Sequence, residues 1–134
     1  MPLQISSTNP LYVDLDPSFT KSLKSGDVLT VRDERAVNLS IRNLISTSYG
    51  ERLFQPNVGG SLRPLLFEPV DAITAIEIRD RLLKTLSDHE PRITNVYVDV
   101  VSQPDDNAYS VTVEYSIKPL GKTDRVNVLL ERIR

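Results

Sequence analysis

The residues of this chain best suited to acid–base chemistry stand together at Asp88-His89-Glu90. An imidazole beside carboxylates can move protons near neutral pH when its surroundings tune it. Consecutive residues at a helix end point in different directions, however, and a His in a last helical turn is favoured by the helix dipole alone. The cluster therefore reads as a helix terminus. His89 is the only His and Cys is absent, which excludes a multi-histidine metal site, a His pair, thiolate-bound zinc, a Cys nucleophile and disulfides within one chain. Glycosidase chemistry needs two carboxylates roughly 5–10 Å apart across a sugar. With 18 acidic residues such pairs arise by chance, and no sequence context singles one out. Gly59-Gly60 is not followed by the Lys-Ser or Lys-Thr of a phosphate-binding loop, and the Gly spacing does not fit a dinucleotide fingerprint. The expectation is a protein that is not an enzyme, with no metal, cofactor or small-molecule substrate.

Macromolecular partners are narrowed by charge. The formal net charge is −2 and no long basic block appears, whereas phosphate binding concentrates Lys and Arg on one face. Nucleic acid is not expected as a partner. No run of roughly 18 apolar residues could span a bilayer, and Met1-Pro2-Leu3-Gln4 lacks the charged and apolar regions of a signal peptide, so an intracellular site of synthesis and no membrane partner are expected. What remains suits protein contacts: the corner Glu90-Pro91-Arg92, the Gly/Pro-rich loop carrying Arg52, Phe54 and Pro56, and a C-terminal strand at a sheet edge. Arg makes bidentate bonds to carboxylates or caps helix carbonyls, and Glu receives guanidinium or amide donors. The same types also pair internally, and Glu90 or Arg92 paired within the chain, for example with Arg79 or Asp88, is an equal alternative from residue types alone.

The elements that must hold these residues follow from periodicity. At 134 residues the chain fits one domain, with an arm over 1–32 and a core over 33–134. The arm mixes Ser, Thr, Asn, Pro and Asp without sustained period and reads as loop and short extended pieces. Val37, Ile41, Leu44 and Ile45 form one stripe at helical spacing, predicting a helix over 33–47 with Asp33 as N-cap. A second helix is predicted from Asp71 to about Ser87, with Ala72, Ile76, Leu83 and Leu86 on its apolar side and Ala75, Ile78 and Leu82 widening it. Pro91 biases Glu90 away from helical dihedrals, so that helix ends near His89.

Between the helices, 48–70 carries three Gly and, at Pro56, a turn-forming Pro in its first half. A loop that long ordinarily contains structure of its own. A short strand near Arg52–Phe54 or a helical turn near Leu62–Phe67 is predicted, with the apolar residues of the loop pinned to the core. After Pro91 the period becomes two. Val96, Val98 and Val100 alternate with Asn95, Tyr97 and Asp99, Gln103–Asn107 turns, Tyr109 to Ile117 alternates again, Lys118–Thr123 breaks the pattern, and Val126, Val128 and Leu130 resume it. The fold class is α+β: a two-layer sandwich of an antiparallel meander of about three strands, with one further short strand allowed, packed by two helices.

Three separated blocks then resemble a known family. Leu11-Tyr12-Val13-Asp14-Leu15-Asp16, Gly50-Glu51-Arg52-Leu53-Phe54-Gln55-Pro56-Asn57-Val58-Gly59 and Glu90-Pro91-Arg92 are similar, in order and spacing, to motifs of the small baseplate wedge proteins of contractile phage tails. The resemblance covers roughly Leu11 to Ile133. It implies a structural wedge component of the virion tail baseplate, assembled in the host cytoplasm, that docks through Glu90, Pro91 and Arg92 on a helical bundle of other wedge proteins. It further implies that the protein starts the tail sheath by exchanging strands with the first sheath ring. The segment Arg125, Val126, Asn127, Val128 and Leu129 is the favoured edge and the N-terminal arm the other candidate; tail tube and hub proteins are further partners. A type VI secretion or phage-derived injection-system baseplate subunit is the alternative. A regulatory anti-adaptor of the same fold ranks lower, as does a muralytic enzyme, a label that members of this family have carried.

Overall fold

The computed structural model describes residues 10–118 and 121–132. Met1 to Asn9 of the expected arm, Pro119 and Leu120 of the expected turn, and Ile133 lie outside the described residues. The chain divides into two compact units, Met1–Val37 and Asn38–Arg134.

In the first unit the expected loop and short extended pieces form a hairpin. β1 (Val13–Leu15) pairs antiparallel with β2 (Thr30–Arg32), Asp14 lying opposite Val31, and an isolated bridge joins Lys21 to Val28. Short polar side chains shape its turns: the Asp16 carboxylate accepts from Ser18 N at 2.8 Å and Ser18 Oγ at 2.6 Å, bonds that hold its pKa below the ordinary aspartate value. Asp33 behaves differently from the predicted cap. Its main chain adopts φ 45° and its carbonyl accepts from Val37 N, but Oδ1 accepts from Leu11 N at 2.9 Å and Tyr12 N at 3.2 Å. The side chain thus fastens the start of β1 to the start of the helix.

The helix α1 (Glu34–Ser46) follows, and Val37, Ile41, Leu44 and Ile45 are all buried as their spacing requires. α2 (Ala72–His89) starts at Asp71, whose carboxylate accepts from Thr74 N at 2.8 Å. Its buried line is Ala75, Ile78, Leu82 and Leu86 with Thr74 and Thr85, whereas Ile76 is 50% exposed. The apolar face is rotated from the predicted one because both sides of this helix carry Ile and Ala, and tertiary contact selects between them.

The second unit contains the meander β3 (Ile93–Gln103), β4 (Ala108–Ile117) and β5 (Lys122–Glu131), in that spatial order, with the helices packed on one face. β4 alternates as its sequence demands: Tyr109, Val111, Val113, Tyr115 and Ile117 are buried. β3 cannot alternate throughout, since Ile93 and Val98 are both buried yet differ in parity. The register shifts between Thr94 and Tyr97, so that Asn95 and Val96 together face Tyr115. Asn95 takes φ 51° at this bulge, a conformation Asn tolerates better than most residues.

The connection 48–70 contains no strand at 52–54 but does hold a short 3-10 helix, Arg63–Phe67. Leu62 and Leu65 enter the core, while Leu53 is 86% and Phe54 100% exposed. The expectation that the loop's apolar residues are pinned inside therefore holds for Leu62 and Leu65 but not for Leu53, Phe54 or the exposed Phe67. The first half is held by main-chain bonds: Gly50 N donates to Pro56 O at 2.8 Å, and Gly60 N to Leu44 O at 3.1 Å and Thr47 O at 3.0 Å. Gly59 is required here, because at φ 134° an added Cβ would lie 2.4 Å from Thr47 O.

Candidate docking site

The corner between α2 and β3 holds a cluster of charged and hydroxyl groups bonded to one another. Glu90 ends the helix, its N–H donating to Leu86 O at 3.0 Å, and its φ of −123° has left the helical region, which the following Pro disfavours. Pro91 and Arg92 form a turn before β3, and across it the side chains of Glu90 and Arg92 meet. Arg92 Nε donates to Glu90 Oε1 at 2.6 Å and Arg92 Nη2 to Oε2 at 2.8 Å. A third donor arrives from α1: Ser40 Oγ reaches Glu90 Oε2 at 2.6 Å. Glu90 is 3% exposed, and the Arg92 side chain 23%. Burial by itself raises the Glu90 pKa, but the Arg92 and Ser40 hydrogen bonds and the guanidinium charge outweigh it and hold the carboxyl below the ordinary glutamate value.

Of the sequence-derived candidates, the structure brings Glu90 and Arg92 together, with Pro91 exposed between them. Arg52, Phe54 and Pro56 lie on the exposed loop closed by the Gly50–Pro56 bond, Phe54 at φ 64°. The β5 candidates are split by the pleat: Arg125 pairs across the sheet with Glu114, Asn127 and Leu129 face out, Val128 is half-buried and Val126 is fully buried. Any contact Val126 makes with a partner is through its main chain. β5 is an edge of its sheet, and beside its end runs a cleft of about 570 Å³ lined by Ile45, Leu62, Leu66, Phe67 and Leu129 among others. Ser40 was not foreseen. It stands 50 residues from Glu90, and its only sequence signal is a place next to Ile41 in the apolar stripe. Among the described residues, no group of three or more His, Cys, Asp or Glu is arranged to hold a metal, and no helix is long and apolar enough to cross a membrane.

Residues 31–119, which contain both the loop and the corner, match the sequence profile described as "Baseplate wedge protein gp25". The chain belongs to this family. Its members are baseplate structural proteins of contractile tails. Within the family, the chain is 29% identical over 113 residues to baseplate wedge protein gp25 of Enterobacteria phage T4, covering 84% of this chain and 85% of the relative. Two solved structures share the fold. A Geobacter sulfurreducens chain provisionally assigned as a tail lysozyme superposes with a TM-score of 0.71 at 19% identity, over 80% of this chain and 98% of the other. A chain of the postcontracted pyocin R2 baseplate superposes with a TM-score of 0.56 at 21% identity, over 90% and 98%. The gp25-family match includes Glu90, Pro91, Arg92, Arg52, Phe54 and Pro56, while the β5 candidates Arg125 to Leu129 lie C-terminal to it.

Proposed function

We propose that this member of the gp25 family is a non-catalytic wedge subunit that docks through its Glu90-Pro91-Arg92 corner on neighbouring wedge proteins and starts the sheath by strand addition. The observation that carries the reading is the family match spanning both the closed loop and the corner. The exposed Arg52, Phe54 and Pro56 then form a second contact with wedge, tube or hub proteins. Sheath initiation is supported by β5 standing at a sheet edge, since an edge offers unpaired amides and carbonyls that a partner strand satisfies with little dependence on side chains. The assembly is a phage-type contractile tail; the pyocin likeness keeps a phage-derived injection device as the second reading.

Two measurements test this. Co-expression with the neighbouring wedge proteins should recover a complex that Arg92→Ala loses while its circular dichroism stays that of the wild type. Hydrogen exchange on the sheath-bound protein should show new protection at 125–131. Protection confined to 13–15 would move the sheath contact to β1, and protection at neither edge would refute strand addition. Robust cell-wall hydrolysis by the purified protein, lost on changing one carboxylate, would overturn the non-catalytic reading.

A further inference from the structure

The corner was expected to present both of its charged residues to a partner. Its geometry divides the roles. The Glu90 carboxylate accepts three bonds from within the chain, at 2.6, 2.8 and 2.6 Å, in a residue only 3% exposed. For Glu90 to bind a partner's guanidinium or amide, the partner would have to reach the acceptor site its three bonds leave on Oε1, in a residue closed to solvent, or displace charge-assisted bonds that are costly to leave unmade. Arg92 is the more accessible of the two, and two of its guanidinium bonds run to Glu90 in a fork that fixes the plane of the group. The main chain at Arg92 is fixed as well, its carbonyl accepting from Lys118 N at 2.8 Å. Among the described residues Ser40 is the one hydroxyl donor to the carboxylate, and it connects α1 to the corner.

We propose that Ser40 and Glu90 are positioning residues that aim the Arg92 guanidinium, and that Arg92 is the member of this triad that meets the partner. The inference rests on the corner being a docking site. The chemistry it calls for on the other side is a carboxylate or the carbonyl end of a helix, both of which accept from a planar guanidinium held at a fixed angle. A partner supplying Arg or Lys to Glu90 is the arrangement it excludes. Ser40 belongs to no motif in the sequence and enters the site only through the fold.

The test is a double-mutant cycle on affinity for the purified neighbouring wedge proteins, using full-length protein. Arg92→Ala should weaken binding strongly. Ser40→Ala should weaken it about tenfold, the scale of one lost hydrogen bond to a charged group, and Ser40→Thr, which keeps the hydroxyl, should bind within about twofold of wild type. With Arg92 already replaced there is nothing left to aim, so adding Ser40→Ala to Arg92→Ala should change nothing further. If Arg92→Ala leaves too little binding to measure, Arg92→Lys is the background, since an ammonium cannot form the fork. A merely structural Ser40 would lower affinity by the same factor in both backgrounds, and that result, or a silent Ser40→Ala beside a damaging Arg92→Ala, overturns the inference while leaving the docking site standing. Wild-type binding by Arg92→Ala overturns the docking site and the inference together.

Discussion

Gly59→Ala should be among the most damaging single-methyl additions in this protein, and its cost can be worked from the geometry. At φ 134° the alanine Cβ would stand 2.4 Å from Thr47 O and 2.9 Å from Thr47 C. Both are main-chain atoms just past the end of α1, so no rotamer change relieves the clash. A non-glycine residue at strongly positive φ costs about 1–3 kcal/mol. To clear the carbonyl the loop must also move, stretching the Gly60 N bonds to Leu44 O and Thr47 O and the Thr85 Oγ1 bond to Gly59 O, at about 1 kcal/mol for each bond lost. With all three lost the total is about 4–6 kcal/mol, a large part of the roughly 5–15 kcal/mol that holds a domain together. It corresponds to a midpoint lowered by about 12–24 °C. Gly50→Ala is the control: φ is 82°, but nothing lies within 4 Å of the added carbon, so only the torsional cost remains and the midpoint should fall by about 3–12 °C. Thermal melts followed by circular dichroism decide it. Equal midpoints for the two variants would mean that Gly59 does not sit against the Thr47 carbonyl and that the loop is held in some other way.

Leu82→Ala, in the fully buried line of α2, should cost about 2–5 kcal/mol in denaturant unfolding, whereas Ile76→Ala on the exposed side should stay within about 0.5 kcal/mol; comparable losses would place the helix face elsewhere. Because the folded Glu90 pKa lies below its unfolded value, its contribution is complete above the ordinary glutamate range and is lost as pH falls through the folded value. The stability gap between wild type and Glu90→Gln should therefore be widest at neutral pH and narrow below about pH 4, and a constant gap across urea titrations would refute the charged pairing. Burial, then the charge and hydrogen bond of Asp124, push the Tyr115 pKa up, and burial raises that of Tyr109. A spectrophotometric titration should show a late phase reduced by Tyr115→Phe, and because a raised folded pKa takes stability away as pH climbs past about 10, the wild type should weaken faster there than the Phe variant.

The parts of the fold written in local period were legible in advance: the Val37–Ile41–Leu44–Ile45 stripe and the alternation from Tyr109 to Ile117 are each settled by neighbours within a few residues. What escaped depends on residues far apart. α2 offers Ile76 and Ile78 on opposite sides, and only the sheet decides which is covered. The arm showed no period because β1 and β2 are three residues each, their pairing fixed by turns and by Asp33 rather than by an apolar face. Leu53 and Phe54 are apolar but project, since the loop around them is held by its main chain. The corner was legible as Glu90-Pro91-Arg92; Ser40, which completes its bonding, was not, because nothing in a helix sequence tells which polar side chain will face a carboxylate 50 residues on.

The bulge at Asn95 and Val96 gives the sheet a polarity. β5 runs beside β4 through ten consecutive pairs without a break, leaving a regular outer margin, while the opposite margin of the sheet is kinked where two residues of β3 face one of β4. A kinked edge is a poor template for a further strand. The two margins of the sheet therefore differ as surfaces for strand pairing: the straight one along β5 is the better match for a second strand and the bent one along β3 the poorer.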